Sequence, residues 1–455
     1  MDGLLLLVGI ITLIWGVVAT IAYVRRPGRC IFDPVSVSWL GYIHYIAGGL
    51  ILTAIYYPDR PTQASRGLSV ILILIATVTY TIGLYVTHGE KIARILPVPA
   101  PIMGKTQAWL TLAFGATLFT VIMTTAAVSA LVSPIRAALA TGAFSTITLV
   151  TILIVCGYQR SYITKAMMFL LLVGSILAAG RLFWSRRPVV GMVLAAMGLY
   201  YYLRVRPRPL AFRALFLGGM SFSGLLVFLL LTGSRSAWFY GVEAVPMFSR
   251  ENFLSAVGDV TVNYRVYEKI VEQYAEFTDL HYGSTLVGTF VWYPRRWWPS
   301  KPLGTGDVAT AIWHGWPVET DVAIRVSERG TGNVSPLPIG EIYMNFGTIG
   351  VIILPFIVGI LVRTLNSYLR RHRDNAVLWA AWFISVPSFA GEWRGTLNAM
   401  TVAPILQTSM FLTIAWVFGK LFGRGSQIMY SQTSLEYPEA VYDQAPVTEE
   451  YPSPG

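Results

Sequence analysis

Residues 4–29 read LLLLVGIITLIWGVVATIAYVRRPGR, and this stretch decides the fold class. Positions 4–24 carry no charge, and Arg25, Arg26 and Arg29 follow at once. A run of that length, coiled as a helix, spans the roughly 30 Å of a bilayer's hydrocarbon. The basic cluster at its end is the mark of the cytoplasmic side. No basic region precedes the run and no small-residue cleavage site closes it, so it is expected to be a retained anchor.

The same pattern recurs along the chain. Apolar blocks fall near 4–24, 36–56, 68–87, 107–127, 133–156, 165–183, 188–203, 212–232, 338–363, 376–390 and 398–420. Across 455 residues, 55% are hydrophobic and only 13% charged, with a mean hydropathy of +0.58. A soluble domain carries about 25% charged residues. The expected architecture is therefore an all-α polytopic integral membrane protein. It has about eleven transmembrane helices, with ten to twelve as the range. A soluble enzyme, a disulfide scaffold and a nucleic-acid binder are excluded. The net charge of +11 belongs to the loops of a membrane protein.

Alternate connections hold Arg25, Arg26 and Arg29; Lys91, Arg94 and Lys105; Arg160 and Lys165; Arg204, Arg206, Arg208 and Arg213; Arg363, Arg370, Arg371 and Arg373; Lys420 and Arg424. The positive-inside rule assigns all of them to the cytoplasm, with the N-terminus outside and the C-terminus inside. Cys30 and Cys156 fall on the cytoplasmic side, which speaks against a structural disulfide. The expected division is eight helices over 1–232, one large outer loop with short helices over 233–337, three helices over 338–421, and a disordered acidic cytoplasmic tail over 422–455. Apolar and aromatic residues at helical spacing across 251–277 predict a helix on the outer surface.

Against that charge bias, several cations stand on the outer side. Arg181 and Arg187 flank a turn between two expected spans, and Arg394 occupies another short outer connection, Gly391–Gly395. The loop stretch Trp292–Pro302 sets Arg295, Arg296 and Lys301 among Trp292, Trp297 and Trp298. Arginines without matching acids suit an anion such as a phosphate or diphosphate, because the guanidinium fork binds phosphate oxygens and stays charged. Each arginine taken singly could instead snorkel to headgroups, and each tryptophan could simply rest at the membrane interface. The functional reading of the aromatics is a platform for sugar rings. Glu341, one turn into a span, is costly there unless it is paired or functional. Gly340, Gly347 and Gly350 nearby permit close helix packing. The five histidines are scattered, and Glu319 and Asp321 read as solvated surface rather than a metal site. No phosphate-cradling glycine loop and no nucleophile triad is present in the sequence.

The order of these parts resembles the bacterial O-antigen or oligosaccharide repeat-unit polymerases of the Wzy type. The resembling features are many spans, an outer Gly-Arg…Ser-Arg-Arg turn (180–187), and one long outer loop. That loop holds YPRRWWPSKP (293–302) and leads into PIGEIYMNFG (338–347). The resemblance implies a membrane glycosyltransferase of the bacterial inner membrane with its site facing the periplasm. Such an enzyme takes repeat units carried on undecaprenyl diphosphate. It transfers the growing glycan to the non-reducing end of the next lipid-linked unit, with no cofactor and no metal.

The resemblance also implies essential outer arginines at Arg181, Arg187, Arg295, Arg296 and Arg394, and an acid and aromatic at Glu341 and Tyr343. The expected roles are catalytic for Glu341, Arg295 and Arg296, and diphosphate-binding for Arg181, Arg187, Arg394 and Lys301. Trp292, Trp297, Trp298 and Tyr343 are expected to bind glycan. Partners implied are the lipid-linked oligosaccharide, membrane lipids, a chain-length regulator and a flippase, with no nucleic acid. An odd span count departs from the family's usual even number. Two other functions stay open: a ligase moving glycan to lipid A core, with His281 or His314 as its loop histidine, and a flippase or exporter that binds lipid phosphate without chemistry.

Overall fold

The computed structural model describes residues 3–57, 63–96, 105–124, 143, 146–154, 161–163, 166, 169–170, 174, 186–240, 246, 248–276, 279–290, 298–318, 334–373, 375–391, 393–395, 408–409, 411–418 and 420–421. These form helices and turns, with no strand among the described residues. Four helices are long and apolar enough to cross a membrane: Gly3–Val24, Pro34–Tyr56, Ser65–Tyr85 and Pro338–Arg371. Three shorter apolar stretches, Val193–Val205, Leu210–Leu226 and Ala376–Val386, join them. The expected eleven spans are thus not reproduced among the described residues. Those expected near 133–156, 165–183 and 398–420 fall largely outside them.

The first spans show how such a chain packs in lipid. α1 (Gly3–Val24) turns Leu7, Ile14, Trp15 and Val18 outward and buries a stripe that includes Gly9, Thr12, Gly16 and Thr20. This inverts the pattern of a water-soluble helix. Between helices in lipid, close approach of small residues replaces the hydrophobic drive. A Cβ added at Gly16 would lie 2.6 Å from the Ile43 side chain of α2 (Pro34–Tyr56). α2 begins after Asp33 with Pro34 in its first turn, where a missing N–H costs nothing. A π turn, Ile43–Ala47, interrupts it halfway.

α3 (Gln63–Tyr85) crosses the last long helix at glycines. A Cβ on Gly359 would meet the Tyr80 carbonyl at 2.5 Å, and one on Gly83 would collide with the Phe356 carbonyl. The close crossing is therefore at Gly83 and Gly359, while of the expected trio Gly340 faces Tyr267, which a Cβ added there would meet at 3.1 Å. α4 (His88–Ile95), α5 (Lys105–Thr124), α6 (Arg186–Tyr200, continued by a π turn to Val205) and α7 (Leu210–Tyr240) follow.

Within the expected loop, the helix predicted over 251–277 is α8 (Arg250–Gln273), capped by the Ser249 hydroxyl on the Asn252 N–H. It does not lie loosely on a surface. Tyr264, Tyr267, Ile270 and Val271 are buried against α2, α3 and the last long helix. α9 (Ser284–Phe290) and α10 (Thr305–His314) complete this region.

α11 (Pro338–Arg371) is about 50 Å long at 1.5 Å per residue, well beyond a bilayer's hydrocarbon. It breaks at Gly347, whose φ of 61° and ψ of −157° only glycine adopts without strain. Residues 338–345 before the break are wholly buried, and the part after it exposes Ile349, Ile352, Ile353, Ile357 and Leu361. The break frees two carbonyls, and the chain beside them takes both. The His281 N–H donates to Met344 O and the Tyr282 N–H to Asn345 O, each at 3.0 Å. α12 (Ala376–Ala390) then rises from the arginine-bearing end.

Candidate active site

α12 has 15 residues and is about 22 Å long, too short to cross the membrane before the chain turns at Gly391. The Gly391–Gly395 turn, expected at the outer face, packs through Trp393 against α2 and α3. Trp393 is buried, packs edge-on against Tyr42 at 5.2 Å and Tyr80 at 4.9 Å, and its indole N–H reaches the Ser38 hydroxyl. Ser38 and Tyr42 stand only about 6 and 12 Å along α2 from its start. Arg394, half-buried beside Trp393 in the chain, comes within electrostatic reach of His44. His44 occupies the π turn of α2, which displaces its ring relative to a regular helix and sets it edge-on to Tyr45 at 4.6 Å. π turns inside α-helices are frequent at functional sites. In the sequence His44 is one of five scattered histidines, and its signal is position, an ionisable ring in the middle of an apolar run.

The second part of the site lies at the loop end. Glu341 is fully buried and its Oε1 accepts the Thr305 hydroxyl. Asn345, one turn on, donates from its amide to Glu341 O at 2.8 Å and to the Thr285 hydroxyl at 2.7 Å. Its carbonyl oxygen accepts the Gly283 N–H at 3.0 Å. Glu341 and Asn345 thus hold α9, α10 and the residue 281–283 turn to the broken helix. Tyr343 is equally buried, its hydroxyl donating to the Tyr274 carbonyl at 3.4 Å. In this arrangement neither Glu341 nor Tyr343 is open to solvent.

Tyr274 and His281 form a clamp nearby, hydroxyl to Nε2 at 2.8 Å. Burial, reinforced by Asp279, pushes the Tyr274 phenol up to about 12, so it stays a donor. Burial lowers His281 below the ordinary 6.5, against the opposing pull of Asp279, so the ring is neutral and accepts that proton. His314 stacks on Trp316 at 4.6 Å.

Three described cations at this end, Arg265, Lys269 and Arg66, are held by aromatics and an acid. Arg265 lies between Tyr57 at 4.6 Å and Trp313 at 4.7 Å. Lys269 covers the same Trp313 and donates to its carbonyl, and Arg66 pairs with Glu268 at 3.4 Å. Of the residues singled out in the loop motif, Trp298 is half-buried with its indole N–H on the Ser300 hydroxyl, and the Lys301 N–H closes a turn onto Trp298 O. Arg181, Trp292, Arg295, Arg296 and Trp297 lie outside the described residues, as do Glu319 and Asp321. Arg187 is in the first turn of α6. Among the described residues no three histidine, cysteine or carboxylate side chains gather as a metal site.

A helical bundle with apolar spans and ionisable side chains carried into its interior is a membrane protein. Residues 316–423 of this chain match the family described as O-antigen polysaccharide polymerase Wzy, which bears out the resemblance over that segment. The segment includes Glu341, Tyr343, His372 and Arg394 and leaves out the tryptophan-rich motif. No curated protein and no solved structure matches the chain.

Proposed function

We propose that this protein polymerises lipid-linked oligosaccharide repeat units at the periplasmic face of the bacterial inner membrane. The growing glycan leaves undecaprenyl diphosphate and joins the non-reducing end of the next lipid-linked unit. The observation that supports this reading is Arg394, a half-buried arginine that follows the buried Trp393 and lies inside the family-matched segment. Arginine suits a lipid diphosphate because its fork binds phosphate oxygens and stays charged.

In the transfer, the bond from the anomeric carbon to the phosphate oxygen breaks and a bond to the acceptor hydroxyl oxygen forms. The hydroxyl proton passes to a base, and the diphosphate departs carrying the electron pair. Its growing negative charge is stabilised by cations already in place. Arg394 takes that role, with Arg181, Arg187, Arg295, Arg296 and Lys301 as further cations and Trp292, Trp297 and Trp298 as sugar platforms. Glu341 and Tyr343 act as positioning residues, because their polar atoms fix Thr305 and Tyr274. A flippase delivers the acceptor units and a chain-length regulator limits the product.

The test is the lipid-linked and surface glycan profile of a strain lacking the gene, restored by wild type or by Arg394→Ala. Single repeat units in place of long chains, unrescued by the variant at equal protein level, is the expected result. Long chains retained on their carrier would assign the ligase instead, and single units held inside the cell would assign the flippase.

A further inference from the structure

A short helix at the arginine-bearing end has no part in the proposed transfer. α4 (His88–Ile95) follows α3 after a turn at 86–87 and packs beside α11. Glycine sets the approach: a Cβ added at Gly89 would lie 2.8 Å from Arg363 Cγ and 2.9 Å from the Ile360 carbonyl oxygen. Ala93, one turn on, is buried on the same face, and Glu90 pairs with Arg363. These contacts fix the level of α4. The outward apolar residues of α11 run from Ile349 to Leu361, and Arg363, Arg370 and Arg371 follow. The edge of the hydrocarbon therefore falls near Arg363, beside the first turn of α4.

The rest of α4 turns outward in two adjoining arcs. At about 100° per residue, Ile92, Ile95 and the C-cap Leu96 share one arc of about 100°, with His88 at the helix start. The three apolar side chains are exposed, Ile95 by 82%. Lys91 and Arg94 occupy the neighbouring arc, about 60° wide, and both are exposed. The one acid of the helix, Glu90, is committed to Arg363. Such a surface suits neither water nor hydrocarbon alone. Isoleucines in water lose the gain of burial, and a lysine and an arginine in hydrocarbon lose their hydration. Both arcs are satisfied only at the boundary, where apolar side chains enter the acyl layer and basic ones meet headgroups.

We propose that α4 is a binding surface for an anionic phospholipid of the adjoining leaflet. Lys91 and Arg94 take the headgroup phosphate, and Ile92, Ile95 and Leu96 lie against the acyl chains. The lipid is favoured over a free phosphate because the apolar arc stands directly beside the cations, and an inorganic ion would leave that arc in water. Basic residues next to an apolar segment are drawn to negatively charged leaflets. Since α4 is joined to α11 through Gly89 and the Glu90–Arg363 pair, a lipid held there stabilises the two helices together. The surface lies apart from the proposed transfer site and stands whether or not the polymerase reading does.

The test titrates phosphatidylglycerol into the full-length protein in neutral detergent and follows the thermal midpoint, with phosphatidylcholine and inorganic phosphate as parallel arms. Phosphatidylglycerol alone should raise the midpoint. Lys91→Gln combined with Arg94→Gln should shift that titration to about tenfold higher lipid, and Ile95→Ser should shift it in the same direction. Arg25→Gln combined with Arg26→Gln removes as much exposed charge from the turn after α1 and should leave it in place. Should the α4 pair fail to fold, Arg94→Gln alone serves. An equal shift from the α1 pair would overturn α4 as the site. So would an unaltered titration in the α4 variants, or no response to phosphatidylglycerol. An equal response to phosphatidylcholine, or one to inorganic phosphate that Lys91 and Arg94 govern, would overturn the anionic lipid as the ligand.

Discussion

The two ends of this bundle treat the same residue type in opposite ways. At the loop end, Arg265 is sandwiched by Tyr57 and Trp313, Lys269 covers Trp313, and Arg66 meets Glu268. At the other end, Arg206 and Arg370 act on the buried Asp33, Arg29 lies over Tyr23, and Arg363 pairs with Glu90. Charge at one end ties the loop helices to the spans through aromatic faces, and charge at the other ties the connections together through acids and a phenol. A count of arginines does not distinguish these; only their partners do.

The comparison is most easily broken at Arg394. Arg394→Ala should reduce polymer about a hundredfold or more at unchanged protein level, read by surface glycan profile and immunoblot. Arg394→Lys should recover little, because a lysine lacks the bidentate fork; full recovery would mean that charge alone suffices. Next come the glycines that shape α11. Gly347→Ala must leave its positive φ, and Gly359→Ala presses on the Tyr80 carbonyl, so each should cost about 1–3 kcal/mol in thermal or denaturant unfolding. Gly67→Ala, within α3 and with open space around it, is the control that should not destabilise.

The polar ties of the loop end give smaller effects. Thr305→Val leaves the buried Glu341 carboxylate without a hydroxyl and should lose about 1–3 kcal/mol. Smaller still is the pH dependence of the Tyr274–His281 clamp. The folded His281 binds its proton less readily than the unfolded chain does, so its contribution is present above about pH 6.5 and declines as pH falls through that value. His281→Gln should flatten that limb of the stability curve, and an unaltered limb would exclude the clamp as its cause.

Much of the architecture was legible because membranes leave few options. An uncharged run ending in arginines must span and must keep its basic end at a surface, so α1, α2 and α3 follow from their residues. The helix of 250–273 was legible from its aromatic spacing. Its burial was not, since Tyr264 and Tyr267 look alike on a surface helix and in a core. The resemblance carried by 338–347 marked Glu341 and Tyr343, and no local feature showed that both would be closed off by Thr305 and Tyr274. The surroundings of Arg394 were illegible for a related reason. The sequence places it between two apolar runs, and only the packing of Trp393 on Tyr42 and Tyr80 shows what its turn docks on.

What the sequence by itself determined is the solvent: hydrophobic runs and the bias of their flanking charge require a helical membrane protein, because unpaired backbone cannot stand in lipid. What only the tertiary structure decided is which groups meet. The break at Gly347 lets the residue 281–283 turn dock on carbonyls that a straight helix would have used itself. Three distant connections meet around the buried Asp33. Such pairings span hundreds of residues and depend on where each helix stops and crosses the next, quantities that local periodicity does not contain.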